Sequence, residues 1–476
     1  MTTKVKYKLS VPKEYCSRLH DELYPSSPYR NELDRDRDRI LYSKEFRRLS
    51  DKTQVFLSSS HDHVRTRLTH TLEVSQIARV SASNLELEPT LAEAIAFGHD
   101  VGHTPFGHVG EKTLNLIMNG CDKVADFQNK MDTFDKGFKH NLQGLRVTCD
   151  LEQLYGNPGL NLTNFTLWGI QHHTKNKWGS CGYLDSISNQ CLLKRDPQPC
   201  HQNNGQELGY YEQYYPAIKQ KKTNIDAWSF EGQIVKLADE IAQRHHDIED
   251  AIYMSVISKD ELLGHIDRNF NKFFDEEDKK LSIELRRNID NNRIFMPLVS
   301  KFIVGMLSKK LIDNSKLMLN RFIGSNNISS REDFVRKYPD INNEDAINVI
   351  GYADEFGKAE SDLQEFLKNR ILNSFEVQRM DGKGRFIIRR LFKAYLTNPK
   401  QLHDSTMHFA FSLFDSGYKK WSAMKESDLG QMRYDVDSTS QKANPKFMIA
   451  LLRAICDHIA GMTDNFAISE YNKLYG

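Results

Sequence analysis

Of the 17 histidines in the chain, seven fall between residues 61 and 140: His61, His63, His70, His99, His103, His108 and His140. Such crowding asks for a chemical reason. In Arg67-Leu-Thr-His70 a guanidinium and an imidazole stand at i and i+3, one face of a helix, an arrangement that suits a phosphate beside a metal. His99-Asp100 follows the apolar run LAEAIAFG, so a nitrogen and an oxygen ligand emerge together at a helix end. That pairing suits a borderline or hard divalent cation. Asp239, in KLADEIA, is nearly surrounded by Ile234, Val235, Leu237, Ala238, Ile241 and Ala242, where a carboxylate is costly unless paired or metal-bound. Each feature alone also has an ordinary reading, a hydrogen-bonded core histidine or a helix-capping aspartate. The ordered set H…HD…D is what points to a metal centre.

Two imidazoles and two carboxylates leave positions for water and a phosphate oxygen, so hydrolysis of a phosphate ester or anhydride is the expected chemistry. His108 and Glu111 stand three apart at a helix start, where the carboxylate can orient the imidazole as an acid/base dyad. The alternative is that His108 packs and Glu111 is a favourable first-turn acid. Cys181, Cys191, Cys200 and His201 have irregular spacing and no C-x-x-C pair, which disfavours zinc there.

These residues must be held by helices. Helical periodicity dominates, with an apolar face over 64–85, a short buried helix over 90–98, and further helices at about 108–119, 140–155, 163–174 and 228–255. More follow between 258 and 475, including FMIALLRAICDHIA, and alternating strand patterns are scarce. The stretch 176–225, rich in Gly, Pro, Asn and Gln, reads as an inserted loop region. The expected fold is all-α: one unit over 1–476 with a helical core at 60–255 and a C-terminal helical region at 256–476.

Composition narrows the class. Hydrophobic residues are 39% and charged residues 27%, with 65 Lys+Arg against 64 Asp+Glu, which excludes disordered, collagenous and polybasic-tail proteins. A net charge of +1 gives no global field for nucleic acid, although Arg35, Arg37, Arg39 and Lys44, Arg47, Arg48 form local basic clusters. No run of about 18 apolar residues signals a membrane span. Seven scattered cysteines do not form a disulfide framework, so reduced thiols and a cytoplasmic location are expected.

Longer motifs add a resemblance. DRDRILYSKEFRRLSDKTQVF (36–56), RTRLTH (65–70), GHDVGHTPFGHVGE (98–111), FKHNLQGLRV (138–147), EGQIVKLADEIAQRHHDIEDA (231–251) and AGMTDNFAISEY (460–471) resemble the HD superfamily of metal-dependent phosphohydrolases. Within it they are similar to the bacterial deoxyguanosine triphosphate triphosphohydrolases. The resemblance implies His70, His99, Asp100 and Asp239 as ligands of a divalent metal, with Mn2+ first and Mg2+ or Fe2+ as alternatives. It further implies His108, Glu111 and His140 as catalytic residues. Arg67, Lys175 and Arg48 would meet the triphosphate, Gln54 the deoxyribose and Asp247 the 3′-hydroxyl. His103 resembles a histidine outside the ligand set.

The implied activity is hydrolysis of a dNTP, dGTP or a broader set, to deoxynucleoside and inorganic triphosphate. A 5′-nucleotidase, a phosphodiesterase, or a nucleotide- or single-stranded-DNA-binding regulator with secondary hydrolysis are the alternatives. The resemblance also implies a homo-oligomer, such as a hexamer, with a dNTP activator or single-stranded DNA at an accessory site. Where many relatives carry tyrosine this chain has Gln243.

Overall fold

A computed structural model describes residues 9–476 apart from 24–27, 55–64, 123, 125–135, 154–157, 177–207, 223, 225 and 339–346, and the chain in it is all-α. Among the described residues, extended pairing is confined to isolated bridges such as Thr53 with Thr66. The helices that carry the site are α1 (Glu32–Leu41), α2 (Arg67–Asn84), α3 (Pro89–Gly98), α4 (Gly107–Met118), α5 (His140–Arg146) and α6 (Asn164–His172). They are followed by α7 (Phe230–Tyr253), α8 (Asn292–Ser325), α9 (Phe375–Thr397), α10 (Pro445–Ala460) and α11 (Asp464–Tyr475).

The central element is α3. Pro89 starts it with a preset φ, and the Glu88 carboxylate accepts the Thr90 N–H at 3.1 Å. Leu91, Ala92 and Ala94 to Gly98 are all buried, because the helix is enclosed by α1, α2, α6 and α7. A helix whose residues other than Glu93 and its first turn are all buried belongs in the core, and its C-terminal end therefore delivers His99 and Asp100 into the interior. Truncating a fully buried Leu91 or Ile95 would cost about 2–5 kcal/mol. α2 buries Arg67, His70, Thr71, Val74, Ile77, Ala78 and Ala82, a helical stripe that faces α3 and α7. In α7 the Ser229 hydroxyl accepts the Gly232 N–H, and Ile234, Val235, Ala238, Ile241 and Ala242 are buried.

Two hydrophobic clusters fill the molecule. The first gathers α1, α2, α3, α6, α7 and α8; the second joins Phe106 and the apolar side of α4 to α9, α10 and α11. The turn between α3 and α4 crosses from one to the other. Gly102 permits the crossing, since a Cβ there would lie 2.1 Å from the His140 carbonyl oxygen and 2.2 Å from the Gly144 nitrogen. Phe106 and Gly107 then adopt left-handed φ values of 60° and 58°, which turns the chain into α4.

The expected helix over 140–155 ends earlier. α5 gives way to a π-helical turn at Val147–Leu151. The region read as a loop insertion needs a correction over its last part: Gly209–Ile218 is a 3-10 helix with Tyr211, Tyr214, Ala217 and Ile218 buried. Its aromatic residues pack and bond without helical periodicity, with the Tyr211 hydroxyl donating to Gln143 at 2.9 Å. Cys181, Cys191, Cys200 and His201 lie outside the described residues. Among the described residues Cys16, Cys121, Cys149 and Cys456 form no disulfide. The Arg35 and Arg39 pair of α1 is engaged by Glu22, at 2.6 and 2.7 Å, so this basic cluster is neutralised within the fold. Among the described residues no helix is long and apolar enough to cross a membrane.

Candidate metal and acid-base site

His70 from the first turn of α2, His99 and Asp100 from the end of α3, and Asp239 from the middle of α7 converge where those three helices meet. His70 Nε2 lies 2.9 Å from Asp239 Oδ1, His99 Nε2 lies 3.9 Å from the same oxygen, and His99 Nε2 lies 3.5 Å from Asp100 Oδ1. His70, His99 and Asp239 each offer a ligand atom within 4.8 Å of the others. The His99 tautomer follows from its partner. Nδ1 sits 2.6 Å from the Ala96 carbonyl oxygen, which only accepts, so Nδ1 carries the proton and Nε2 presents a lone pair. A lone pair facing two carboxylates is stable only around positive charge, and a mixed imidazole and carboxylate donor set fits a divalent cation such as Mn2+ or Fe2+.

Arg67 Nη1 holds Asp100 Oδ2 at 2.8 Å, leaving Oδ1 turned towards His99 and His103. Burial alone would raise the Asp100 pKa, but His99 and Arg67 beside it hold it well below the usual carboxylate range. Asp100 is thus held as an anion inside the fold.

Beside this cluster stands a second. His108, at the start of α4, exposes 69% of its side chain and sets Nδ1 3.2 Å from Glu111 Oε2. The buried Glu111 also accepts the His140 backbone N–H at 3.0 Å and faces His140 Nδ1 at 2.8 Å. Burial pushes Glu111 up, yet His140 and the bond to His108 hold it well below the ordinary value, so it is a carboxylate gripping two imidazoles. His103 and His140 stack with ring centroids 4.0 Å apart. Burial and the Arg67 guanidinium keep His103 neutral.

The other expected residues divide. Arg67 is buried with Nε and Nη2 unpartnered, and the buried Oε1 of Gln54 is also unpartnered. They are neighbours: a Cβ on Gly107 would lie 3.4 Å from Arg67 Nη2 and 3.6 Å from the Gln54 carbonyl oxygen. Asp247 lies on α7 two turns beyond Asp239 with Oδ1 buried and unpartnered, and burial pushes its pKa up to about 7. Lys175 is exposed just after α6. Arg48 is not drawn into the cluster. It pairs with Glu45, three residues earlier on the same helical face, and lies against Gly461.

Three residues that the sequence did not single out join the site. His173 sets Nε2 3.2 Å from His140 Nε2, while its Nδ1 donates to the Ile170 carbonyl at 2.8 Å. His246 and Glu73 lie behind His70. The available signals were the doubled histidines at 172–173 and 245–246, and an acid one turn after His70 on α2.

An HD domain model matches residues 67–244, from Arg67 to just beyond Asp239, and a phosphohydrolase-associated domain model matches 350–410 and 421–473. A deoxyguanosinetriphosphate triphosphohydrolase-like protein of Rickettsia rickettsii (strain Iowa) is 32% identical over 468 residues, covering 98% of this chain and 96% of the relative. One of Bordetella pertussis is 30% identical over 472 residues, covering 98% and 95%. The chain belongs to the deoxyguanosinetriphosphate triphosphohydrolase-like family of HD-domain proteins. As a member of that family it is a metal-dependent HD hydrolase. The HD match spans His70, His99, Asp100 and Asp239, and the associated-domain match takes in α9 and most of α11, which pack against each other in the second hydrophobic cluster.

Proposed function

We propose that this protein hydrolyses deoxynucleoside triphosphates to the deoxynucleoside and inorganic triphosphate. The observation that carries the reading is the adjacency of two sets: convergent lone pairs from His70, His99, Asp100 and Asp239, and the carboxylate-oriented imidazole of His108. The family relatives supply the substrate class.

His70, His99, Asp100 and Asp239 would hold the cation. When bound, such an ion offsets charge on phosphoryl oxygens and makes water a better nucleophile at neutral pH. Mn2+ is the first ion to test, then Fe2+ and Mg2+. Arg67, fixed at one end by Asp100, has two free N–H directions with which to clamp phosphate oxygens. Gln54 and Asp247 present unpartnered oxygens that a sugar hydroxyl can satisfy.

Attack of water on the α-phosphorus forms one P–O bond, breaks the bond to the 5′-oxygen of the nucleoside and releases a proton of the water to solvent. The electron pair leaves on that oxygen, which needs a proton. His108 is placed to give it: Glu111 engages Nδ1, so Nε2 is the atom turned outward, and the ring is open to a ligand. His140, on the other oxygen of Glu111, keeps the carboxylate from turning away.

The test is incubation with each dNTP singly and mixed, across Mn2+, Fe2+ and Mg2+, with phosphorus products identified by 31P NMR. Inorganic triphosphate with free deoxynucleoside supports the reading. Orthophosphate or a nucleoside monophosphate as the only product assigns the site to a nucleotidase or phosphodiesterase instead.

A further inference from the structure

Behind the metal-facing edge of His70 lies a chain of contacts that the hydrolytic reading does not use. His70 Nδ1 is 3.2 Å from Nδ1 of His246, and the rings meet edge to face with centroids 5.2 Å apart. Nε2 of His246 is hydrogen-bonded to Glu73, one turn along α2 from His70. Both imidazoles are buried, His246 completely. Glu73 is anchored in turn by Arg65, and burial, which would raise its pKa, is outweighed by its bonds to His245 and His246, which hold it ionised.

The proton positions follow by elimination. A carboxylate only accepts, so Nε2 of His246 carries a proton. A neutral His246 then has a bare Nδ1, which can only accept, so Nδ1 of His70 carries the proton. His70 Nε2 is left bare, pointing at Asp239 Oδ1 only 2.9 Å away. Two lone-pair atoms at that separation repel unless a cation draws them together. The reverse polarity fails, because it would set a bare His246 nitrogen against Glu73.

We propose that Glu73 and His246 form a carboxylate–histidine relay that fixes the tautomer of His70 and thereby sets the protein's affinity for its divalent cation. This rests on the reading of His70 as a metal ligand. Both are positioning residues, acting through His70. Glu73 donates no atom to the site itself; its charge, passed through one imidazole, makes the His70 nitrogen a stronger base, as partners behind metal-bound histidines do. Helical spacing makes the relay available: His70 and Glu73 share a face of α2 at i, i+3, and His246 lies two turns after Asp239 on α7, so the helix that supplies one ligand also supports another.

His245 provides an internal control. It bonds the same oxygen of Glu73 but is not bonded to His70, so it shares the burial and the carboxylate without sharing the relay. The experiment is calorimetric titration of metal-stripped full-length protein with Mn2+, comparing the wild type with His246→Leu, His246→Asn and His245→Leu. His246→Leu should weaken Mn2+ binding by about 10–100-fold. His245→Leu should bind as the wild type does. His246→Asn, whose side-chain oxygen stands near the lost Nδ1 and can accept from His70, should bind more tightly than the leucine variant. A role in packing alone predicts the opposite order, since leucine suits a buried site better than asparagine. If His246→Leu does not fold, His246→Ala, which removes both ring nitrogens without adding bulk, takes its place against His245→Leu, and equal affinities of those two variants overturn the relay. Wild-type affinity in His246→Leu overturns the relay while leaving the metal centre standing. Failure of the wild type to bind Mn2+, Fe2+ or Mg2+ overturns both.

Discussion

Asp464, the first residue of the last helix, accepts the backbone N–H of Phe106 at 2.8 Å across 358 positions of sequence. Its other oxygen accepts the Thr53 N–H at 3.0 Å and the Thr53 hydroxyl. One carboxylate from the C-terminal region thereby ties down the residue before Gln54 and the left-handed turn that leads into His108. A non-glycine residue at φ 60° is strained and persists only where its surroundings hold it. Asp464→Ala would orphan two buried N–H donors at about 1–3 kcal/mol each. We expect a loss of about 2–5 kcal/mol in denaturant unfolding, with turnover falling further than Mn2+ affinity. Unchanged unfolding midpoints would show that the clamp contributes nothing.

Asp239 bears on both imidazoles of the proposed metal centre, at 2.9 and 3.9 Å. Asp239→Ala should therefore remove metal uptake and hydrolysis together. Metal content by elemental analysis, measured beside product formation, checks this. Retained metal with lost activity would place Asp239 outside the ligand set.

For His108 the expectation is a split. Its ring is largely exposed, so His108→Ala should leave the fold, metal and nucleotide binding intact while turnover drops by about two to four orders of magnitude. Stopped assays with a bound-nucleotide measurement separate the two effects, and near-normal turnover would remove His108 from the acid role.

How much of this was legible in the sequence depends on the kind of signal. The convergence of His70, His99, Asp100 and Asp239 could be read because each sits in a distinctive local pattern, and α3 and α7 are apolar enough to force those patterns inward. The helix boundaries near 84, 98 and 118 follow from where apolar periodicity stops. His173, His246 and Glu73 were not legible, since a histidine or acid on a helix looks the same whether it faces solvent or a ligand. The Gly209–Ile218 helix was hidden because aromatic residues and Pro216 satisfy packing without a 3.6-residue repeat. Arg48 is a different case: beside Arg47 it suits a phosphate, and in the structure its guanidinium also engages Glu45 one turn earlier.

Glu231 should make stability depend on pH. It lies fully buried in the first turn of α7, with one oxygen on the Glu88 N–H at 3.0 Å and the other unpartnered. Burial, opposed by that backbone bond, pushes its pKa from 4.5 up to about 7. The folded state then binds a proton that the unfolded chain has released between those values. Its contribution to stability is fully present below about pH 4.5 and is lost as pH rises through about 7. Glu231→Gln keeps an oxygen for the Glu88 N–H and cannot ionise. Relative to the wild type, this variant should gain stability steadily from pH 5 to pH 8, by up to about 3 kcal/mol. Denaturant unfolding at several pH values measures the difference. A difference independent of pH would mean that Glu231 is already ionised in the fold, with Arg331 as its counter-charge.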